Sequence, residues 1–262
     1  MKKLLRWLAS GLPPRRQARL LAWVLPNHLW YRGALRITQL QGALVGLFGG
    51  NRKLTEAVML DHWLYELTAI GPFPIPYVLH GIDVIQAADP AIGTVYSWIH
   101  EPLVEIPMQA FLAHRHSEGI VIADDGRIGE DGQYMVIGTG VRLTAVPANR
   151  YALSRANRAL SEGSSVVCLA DGYLGGPLMP YLMQLAGRVG ARVVFHWATL
   201  LPDGTIDITF VNAPRPYCEN EEAVNENLTF LKAAQQRMLR SIGIPESLPG
   251  PDQSLPEKDV IT

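Results

Sequence analysis

The feature that most constrains the fold is a succession of apolar strands and helical segments in the middle of the chain. Runs such as GTVYSWI (93–99), SSVVCLAD (164–171) and ARVVFHWATL (191–200) are continuously apolar and rich in β-branched and aromatic residues. Strands of this kind, when they alternate with helices, are typical of sheets that are buried on both faces. The DGT sequence at 203–205 predicts a hairpin turn. We therefore expect a single α/β domain with a mixed, mainly parallel central sheet covered by helices.

Charge is distributed unevenly along the 262 residues. Residues 1–55 contain ten Lys or Arg and no Asp or Glu, whereas the remainder contains 13 basic and 24 acidic residues. Such asymmetry predicts an anionic partner for the N-terminal end, which could be nucleic acid, an anionic membrane or an acidic acyl carrier protein. The aromatic residues among these basic ones, Trp7, Trp23 and Trp30, favour an anionic membrane surface over nucleic acid, because indole rings sit at headgroup level. A solvated basic helical pair packed on the domain is the alternative.

The composition along the chain predicts three parts: a basic amphipathic docking segment (1–55), an α/β domain (56–243) and a disordered tail (244–262) rich in proline. No stretch reaches the roughly 18 apolar residues of a spanning helix. The start, MKKLLRWLASGL, is similar to a signal peptide, but Arg6 interrupts its apolar stretch, so we expect it to be retained. The two cysteines predict no disulfide framework and a cytoplasmic chain.

Several common catalytic devices are missing from the sequence, namely a G-x-S-x-G elbow, a P-loop and a G-x-G-x-x-G loop. The HRH sequence at 114–116, followed by Asp124 and Asp125, could supply metal ligands, but exposed loop residues are the simpler interpretation. We expect no metal and no bound cofactor. His196, inside an apolar strand, is expected to be a hydrogen-bonded core histidine.

His100 differs in its placement, because it directly follows the apolar run 93–99. It should lie at the carboxyl end of a central strand, where the reactive crevice of open α/β sheets forms. Pro102 suits the first turn of a helix over 102–114, which would place Glu105 one turn into that helix. A carboxylate there could orient the imidazole, which could then act as a general base.

Two blocks of sequence resemble one family. HGIDVIQAADPAIGTVYSWIHEPLVE (80–105) and RANRALSEGSSVVCLAD (155–171) are similar to blocks of the lipid A biosynthesis acyltransferases, within the lysophospholipid acyltransferase superfamily and its H-x4-[DE] motif. The stretch 185–214 matches the LA-x-x-x-GA-x-V-V strand and DGT hairpin of the same family. The resemblance covers roughly residues 56–240.

The resemblance implies transfer of a fatty acyl group from acyl carrier protein or acyl-CoA to a hydroxyl or amine acceptor. His100 and Glu105 would be the catalytic pair, and Asp171 would line the site. Arg150 and Arg155 could meet donor or acceptor phosphate. The chain would act as a peripheral protein on the inner face of a bacterial inner membrane.

Two differences from the family pattern bear on the identity of the acyl acceptor. HEPLVE stands where the family has H-x-G-x-W-E, and YLGGP (173–177) shortens a Phe-rich stretch. An acceptor other than lipid A fits these differences better. An acyl hydrolase using the same pair, or a catalytically degenerate protein that binds lipid or a partner, remains an alternative.

Overall fold

The computed structural model describes residues 13–87, 89, 91–114, 119–123, 128–129, 131–171 and 176–241. The helices within these ranges are α1 (Pro14–Val24), α2 (Trp30–Leu47), α3 (Arg52–Thr68), α4 (Ile82–Gln86), α5 (Pro107–His114), α6 (Ala152–Ser161), α7 (Tyr181–Val189) and α8 (Glu221–Ser241). The predicted metal ligands His116, Asp124 and Asp125, the start 1–12 and the tail 244–262 lie outside the described residues.

The strands are β1 (Tyr77–His80), β2 (Thr94–Trp98), β3 (Gly119–Ala123), β4 (Gln133–Met135), β5 (Arg142–Pro147), β6 (Ser165–Leu169), β7 (Arg192–Leu200) and β8 (Ile206–Asn212). They form one sheet in the order β1-β8-β7-β2-β6-β3-β5-β4. Neighbours pair in parallel except β7 with β8 and β4 with β5. The prediction of a mixed, mainly parallel sheet in a single α/β domain is therefore confirmed.

Local sequence explains where the elements begin and end. Pro14 opens α1, where a missing N–H costs nothing. The side chain of Asn51 caps α3 by accepting a hydrogen bond from the N–H of Leu54 at 3.0 Å. Gly190 (φ 67°) ends α7, and Gly204 (φ 88°) lies in the turn between β7 and β8. Both glycines take the left-handed conformation that other residues adopt at a cost.

Two layers of helices cover the sheet. On one face, α1, α2, α3 and α5 contribute to a core that includes Trp63, Tyr96 and Phe210. On the other face, α6, α7 and α8 pack on a core that includes Phe195 and Val166. Every residue of β2 is buried, as the continuously apolar run predicted. β2 is consequently the centre of the molecule, and its carboxyl end opens between the two layers.

The described part of the basic segment belongs to the domain core. Helix α3 runs through the boundary expected after residue 55, and Tyr31, Ala34 and Ile37 of α2 are buried in the same core cluster as Trp63 of α3. No helix among the described residues is long and apolar enough to cross a membrane. The segment thus combines a buried face with an exposed basic one.

His196 on β7 lies in the core, as expected, but its hydrogen bonding differs from the expectation. Neither ring nitrogen has a hydrogen-bond partner among the described residues. Its ring centroid lies 5.7 Å from that of Phe210. Burial lowers the pKa of His196 to about 4, so the side chain is neutral at neutral pH and acts as a core residue.

Candidate functional site

The site is built where two neighbouring parallel strands end. Trp98, the last residue of β2, is in register with Leu169, the last residue of β6. Two residues farther along each chain, His100 and Asp171 therefore face each other. Nδ1 of His100 lies 2.8 Å from Oδ1 of Asp171, and the main-chain N–H of His100 donates to the same oxygen at 2.7 Å.

Asp171 is fixed in this position from a third direction. Its side chain is fully buried, and Oδ2 accepts a hydrogen bond from Nε2 of Gln235 at 3.1 Å. The same amide group donates to the carbonyl oxygen of Gly176 at 3.0 Å, which fixes its orientation. Gln235 is itself buried on α8. A buried carboxylate needs such donors, because an isolated charge would be costly in the interior.

The contact with Asp171 determines which nitrogen of His100 is available. An ionised carboxylate only accepts hydrogen bonds, so Nδ1 carries the proton and Nε2 presents a lone pair. Among the residues that the structure describes, none makes a hydrogen bond to Nε2, and one third of the His100 side chain is exposed. The imidazole is held rigidly on one side and is open to a substrate on the other.

A nucleophilic side chain does not accompany this pair in the described part of the chain. The nearest candidates along the two strands, Ser97 and Cys168, are buried within the sheet, and burial raises the pKa of the Cys168 thiol to about 12. Neither makes a hydrogen bond to His100. An imidazole in this position can accept a proton from a hydroxyl, amine or water that reaches Nε2 from solvent.

Glu101 lies between the pair and the next strand. Its Oε1 accepts a hydrogen bond from the main-chain N–H of Ala198 on β7, at 3.3 Å. Burial raises the pKa of Glu101 to about 8, the N–H of Ala198 works in the opposite direction, and the charge of Asp171 adds to the rise. At neutral pH Glu101 is therefore mainly a neutral acid, and the His100–Asp171 pair carries no second negative charge beside it.

A tight turn follows Glu101. Leu103 is buried and has φ 71°, in the region that favours glycine, at a cost of roughly 1–2 kcal/mol. Its N–H donates to Oδ1 of Asp61 on α3 at 3.3 Å. Such a conformation persists only where the surroundings hold it, and here burial and the bond to Asp61 do so. The turn joins the strand end that carries His100 to α5.

The structure corrects the expected position of Glu105. Residues 102–106 form turns, and α5 begins at Pro107, so Glu105 precedes the helix instead of lying one turn into it. The positive φ of Leu103 is incompatible with a helix that starts at Pro102. The carboxylate at Nδ1 of His100 is that of Asp171, a residue that we expected only to line the site. A catalytic role for Glu105 stays a prediction.

Arg150 and Arg155 lie apart from the pair. Arg150 follows β5 at the same edge of the sheet as His100, and its guanidinium donates to the hydroxyl of Tyr151 at 2.7 Å. That guanidinium also lies 4.7 Å from the centroid of the Tyr151 ring. Arg155 is exposed on α6. Their predicted contact with substrate phosphate is still a prediction.

The contact between His100 and Asp171 could have been predicted from the sequence, whereas the role of Gln235 could not. Both His100 and Asp171 follow an apolar strand by two residues, and adjacent parallel strands bring such residues together. Gln235 lies 64 residues after Asp171 in an amphipathic helix, and nothing in that pattern distinguishes it from its neighbours.

No group of three or more His, Cys, Asp or Glu side chains able to hold a metal occurs in the described ranges.

Comparison with solved structures finds remote likenesses. The chain is similar to the crystal structure of the 1-acyl-sn-glycerophosphate acyltransferase PlsC of Thermotoga maritima, with 14% sequence identity and a TM-score of 0.41. The match covers 89% of this chain and 100% of that one. No family model and no curated protein sequence matches the chain.

Proposed function

We propose that the protein is an acyltransferase that moves a fatty acyl group from an acyl thioester, carried by acyl carrier protein or CoA, to a hydroxyl or amine acceptor. The observation that carries the proposal is the pairing of His100 with the buried Asp171 at a strand end, with Nε2 open. A histidine held in one tautomer by a carboxylate is suited to general-base catalysis.

In this mechanism, Nε2 of His100 removes the proton of the acceptor group as the acceptor oxygen or nitrogen attacks the thioester carbonyl. Asp171 stabilises the imidazolium that forms, as a carboxylate partner does in catalytic triads. The C–S bond then breaks, and the imidazolium returns its proton to the departing sulfur. No acyl-enzyme is required, consistent with the absence of a described side-chain nucleophile at the pair.

We place the protein on an anionic membrane surface. Exposed apolar side chains cluster at the end of α2, where Leu47 and Phe48 are 80% and 89% exposed. Two basic residues begin four positions after Phe48, namely Arg52, which is ion-paired with Glu56, and Lys53. Apolar groups next to basic ones suit a lipid interface better than a purely polar partner. We infer peripheral association with the inner face of the cytoplasmic membrane, where an acyl acceptor of lipid character would be reached.

The proposal is tested by incubating the protein with acyl carrier protein thioesters or acyl-CoA and candidate acceptors, with products identified by mass spectrometry. His100→Ala should lower transfer by about 10²- to 10⁴-fold. His80→Ala is the matched control, because His80 is also paired with a carboxylate, Asp207, at 3.2 Å on neighbouring parallel strands. Unchanged transfer in His100→Ala would exclude the proposed base.

An acyl hydrolase is the second candidate, and the exposure of His100 favours it, since water can reach Nε2 as readily as an acceptor can. Here the same base would activate water, and the products would be a free fatty acid and the thiol. Release of fatty acid at the same rate with and without acceptors would favour hydrolysis. Transfer that rises with acceptor concentration, at the expense of free acid, would favour the transferase. If neither reaction occurs, the protein is not catalytic and binds only lipid or a partner.

A further inference from the structure

A cleft of about 460 Å³ lies between α2 and the hairpin that joins β7 to β8. The residues that line it are Arg32, Leu35, Arg36, Gln39, Pro202 and Asp203. Its two walls are fastened together, because the buried hydroxyl of Tyr31 donates to the carbonyl oxygen of Gly204 at 2.6 Å. This hydrogen bond holds α2 against the hairpin beside the cleft.

The cleft is positively charged. Arg32 and Arg36 are four residues apart on α2, so their side chains lie on the same face of the helix. Neither guanidinium forms an ion pair with any described residue, and Arg36 makes only a 3.4 Å hydrogen bond to Oε1 of Gln39. Asp203 is the single carboxylate of the lining, and its Oδ1 accepts the N–H of Thr205 at 2.8 Å. Two guanidinium groups that form no ion pair with a described residue, beside one carboxylate, suit a phosphate group.

The distance between the cleft and His100 indicates which phosphate group of a substrate the cleft could bind. Glu101, the neighbour of His100, is bonded to Ala198, so Ala198 marks the level of the base on β7. β7 ends at Leu200, about 7 Å beyond Ala198 in an extended strand, and Pro202 and Asp203 lie in the turn that follows it. A phosphate in the cleft is thus too distant to belong to an atom next to the reacting carbonyl. It suits a phosphate at the far end of a long arm.

We infer that this cleft binds the phosphate of the phosphopantetheine arm of the acyl donor, the group that acyl carrier proteins and CoA share. The inference rests on the proposed function and extends it. In the arm, two amide units separate the phosphate from the thioester sulfur, and the extended arm spans the distance from the cleft to His100. Binding the phosphate at Arg32 and Arg36 directs the thioester along the sheet edge towards Nε2.

The direct test is a binding measurement by calorimetry with 4′-phosphopantetheine and with pantetheine, which lacks the phosphate. The wild-type protein should bind the phosphorylated compound at least about tenfold more tightly. The double variant Arg32→Ala/Arg36→Ala should lose this difference. Arg15→Ala/Arg19→Ala is the matched control, because it removes two exposed arginines with the same spacing on α1, and it should retain the difference.

Two results would overturn the inference. One is equal binding of both compounds by the wild-type protein. The other is displacement of 4′-phosphopantetheine by anionic lipid vesicles, which would assign the cleft to a lipid headgroup. Because this measurement needs no acyl transfer, its outcome is separate from that of the proposed function. Where transfer is observed, Arg32→Ala/Arg36→Ala should raise KM for acyl-CoA about tenfold and leave KM for the acceptor unchanged.

Discussion

Asp171 receives two hydrogen bonds from one residue: the main-chain N–H and the Nδ1 of His100 both lie within 2.8 Å of its Oδ1. The main-chain bond fixes the backbone of the histidine, and the side-chain bond fixes the ring. One carboxylate thereby sets both the position and the tautomer of the proposed base, and these are the two conditions for general-base catalysis.

Replacing this carboxylate should impair catalysis more than replacing Glu105. Asp171→Asn keeps the shape of the side chain but removes its charge and offers an amide donor to Nδ1, which favours the wrong tautomer. We expect kcat to fall about 10²- to 10⁴-fold, whereas Glu105→Gln should lower it less than about tenfold. Steady-state kinetics of the two variants, with folding checked by circular dichroism, measures the difference. An equal loss in both would restore Glu105 as the partner of His100.

Gln235 is a positioning residue for His100, because its amide donates to Asp171 and makes no hydrogen bond to His100 itself. Gln235→Leu leaves Oδ2 of Asp171 without this donor, which should cost about 1–3 kcal/mol of stability and lower kcat about tenfold with KM nearly unchanged. Gln236→Leu, at the adjacent and more exposed position of α8, is the control. If Gln235 positions Asp171, the pH–rate profile of Gln235→Leu should differ from that of the wild type. A structural defect alone would lower the fraction of active protein and leave the profile unchanged, and that outcome would contradict the positioning role.

Glu101 should make stability depend on pH in a direction that is unusual for an acid. Its pKa in the folded protein, about 8, lies above the ordinary value of 4.5. The stabilisation from the protonated side chain is complete below the ordinary value and is lost as pH rises through 8. Glu101→Gln, which stays neutral, should therefore gain in Tm relative to wild type as pH rises from 5 to 8, by an amount that levels off above that range.

Thermal unfolding of both proteins across pH 4–9 tests this expectation, since other titrating groups cancel in the difference between them. Glu222→Gln, at an exposed glutamate in the first turn of α8, is the control for a change of charge. A Tm difference that is constant with pH would show that folding does not raise the pKa of Glu101.

Much of the fold could be predicted because local patterns and global packing agree. Continuous apolar runs predicted buried parallel strands, and Gly190 and the DGT turn marked where elements end. The site was only partly predictable. The strand-end position of His100 follows from its own neighbours, but its partner depends on the register between β2 and β6. The turn at Leu103 could not be foreseen, because a leucine with positive φ contradicts local preference and is held by a distant residue, Asp61.

The exposed apolar end of α2 should control membrane binding. Leu47→Ser/Phe48→Ser removes two side chains that are 80% and 89% exposed, so the fold should tolerate the change. Burial of a large apolar side chain in lipid contributes about 1.5–3 kcal/mol, and the double variant should therefore bind vesicles containing anionic lipid at least about tenfold more weakly in co-sedimentation. Met179→Ser/Tyr181→Ser, at exposed apolar residues elsewhere, should bind as wild type does. Binding that is unaffected by Leu47→Ser/Phe48→Ser but abolished by salt would assign the interaction to the basic residues alone.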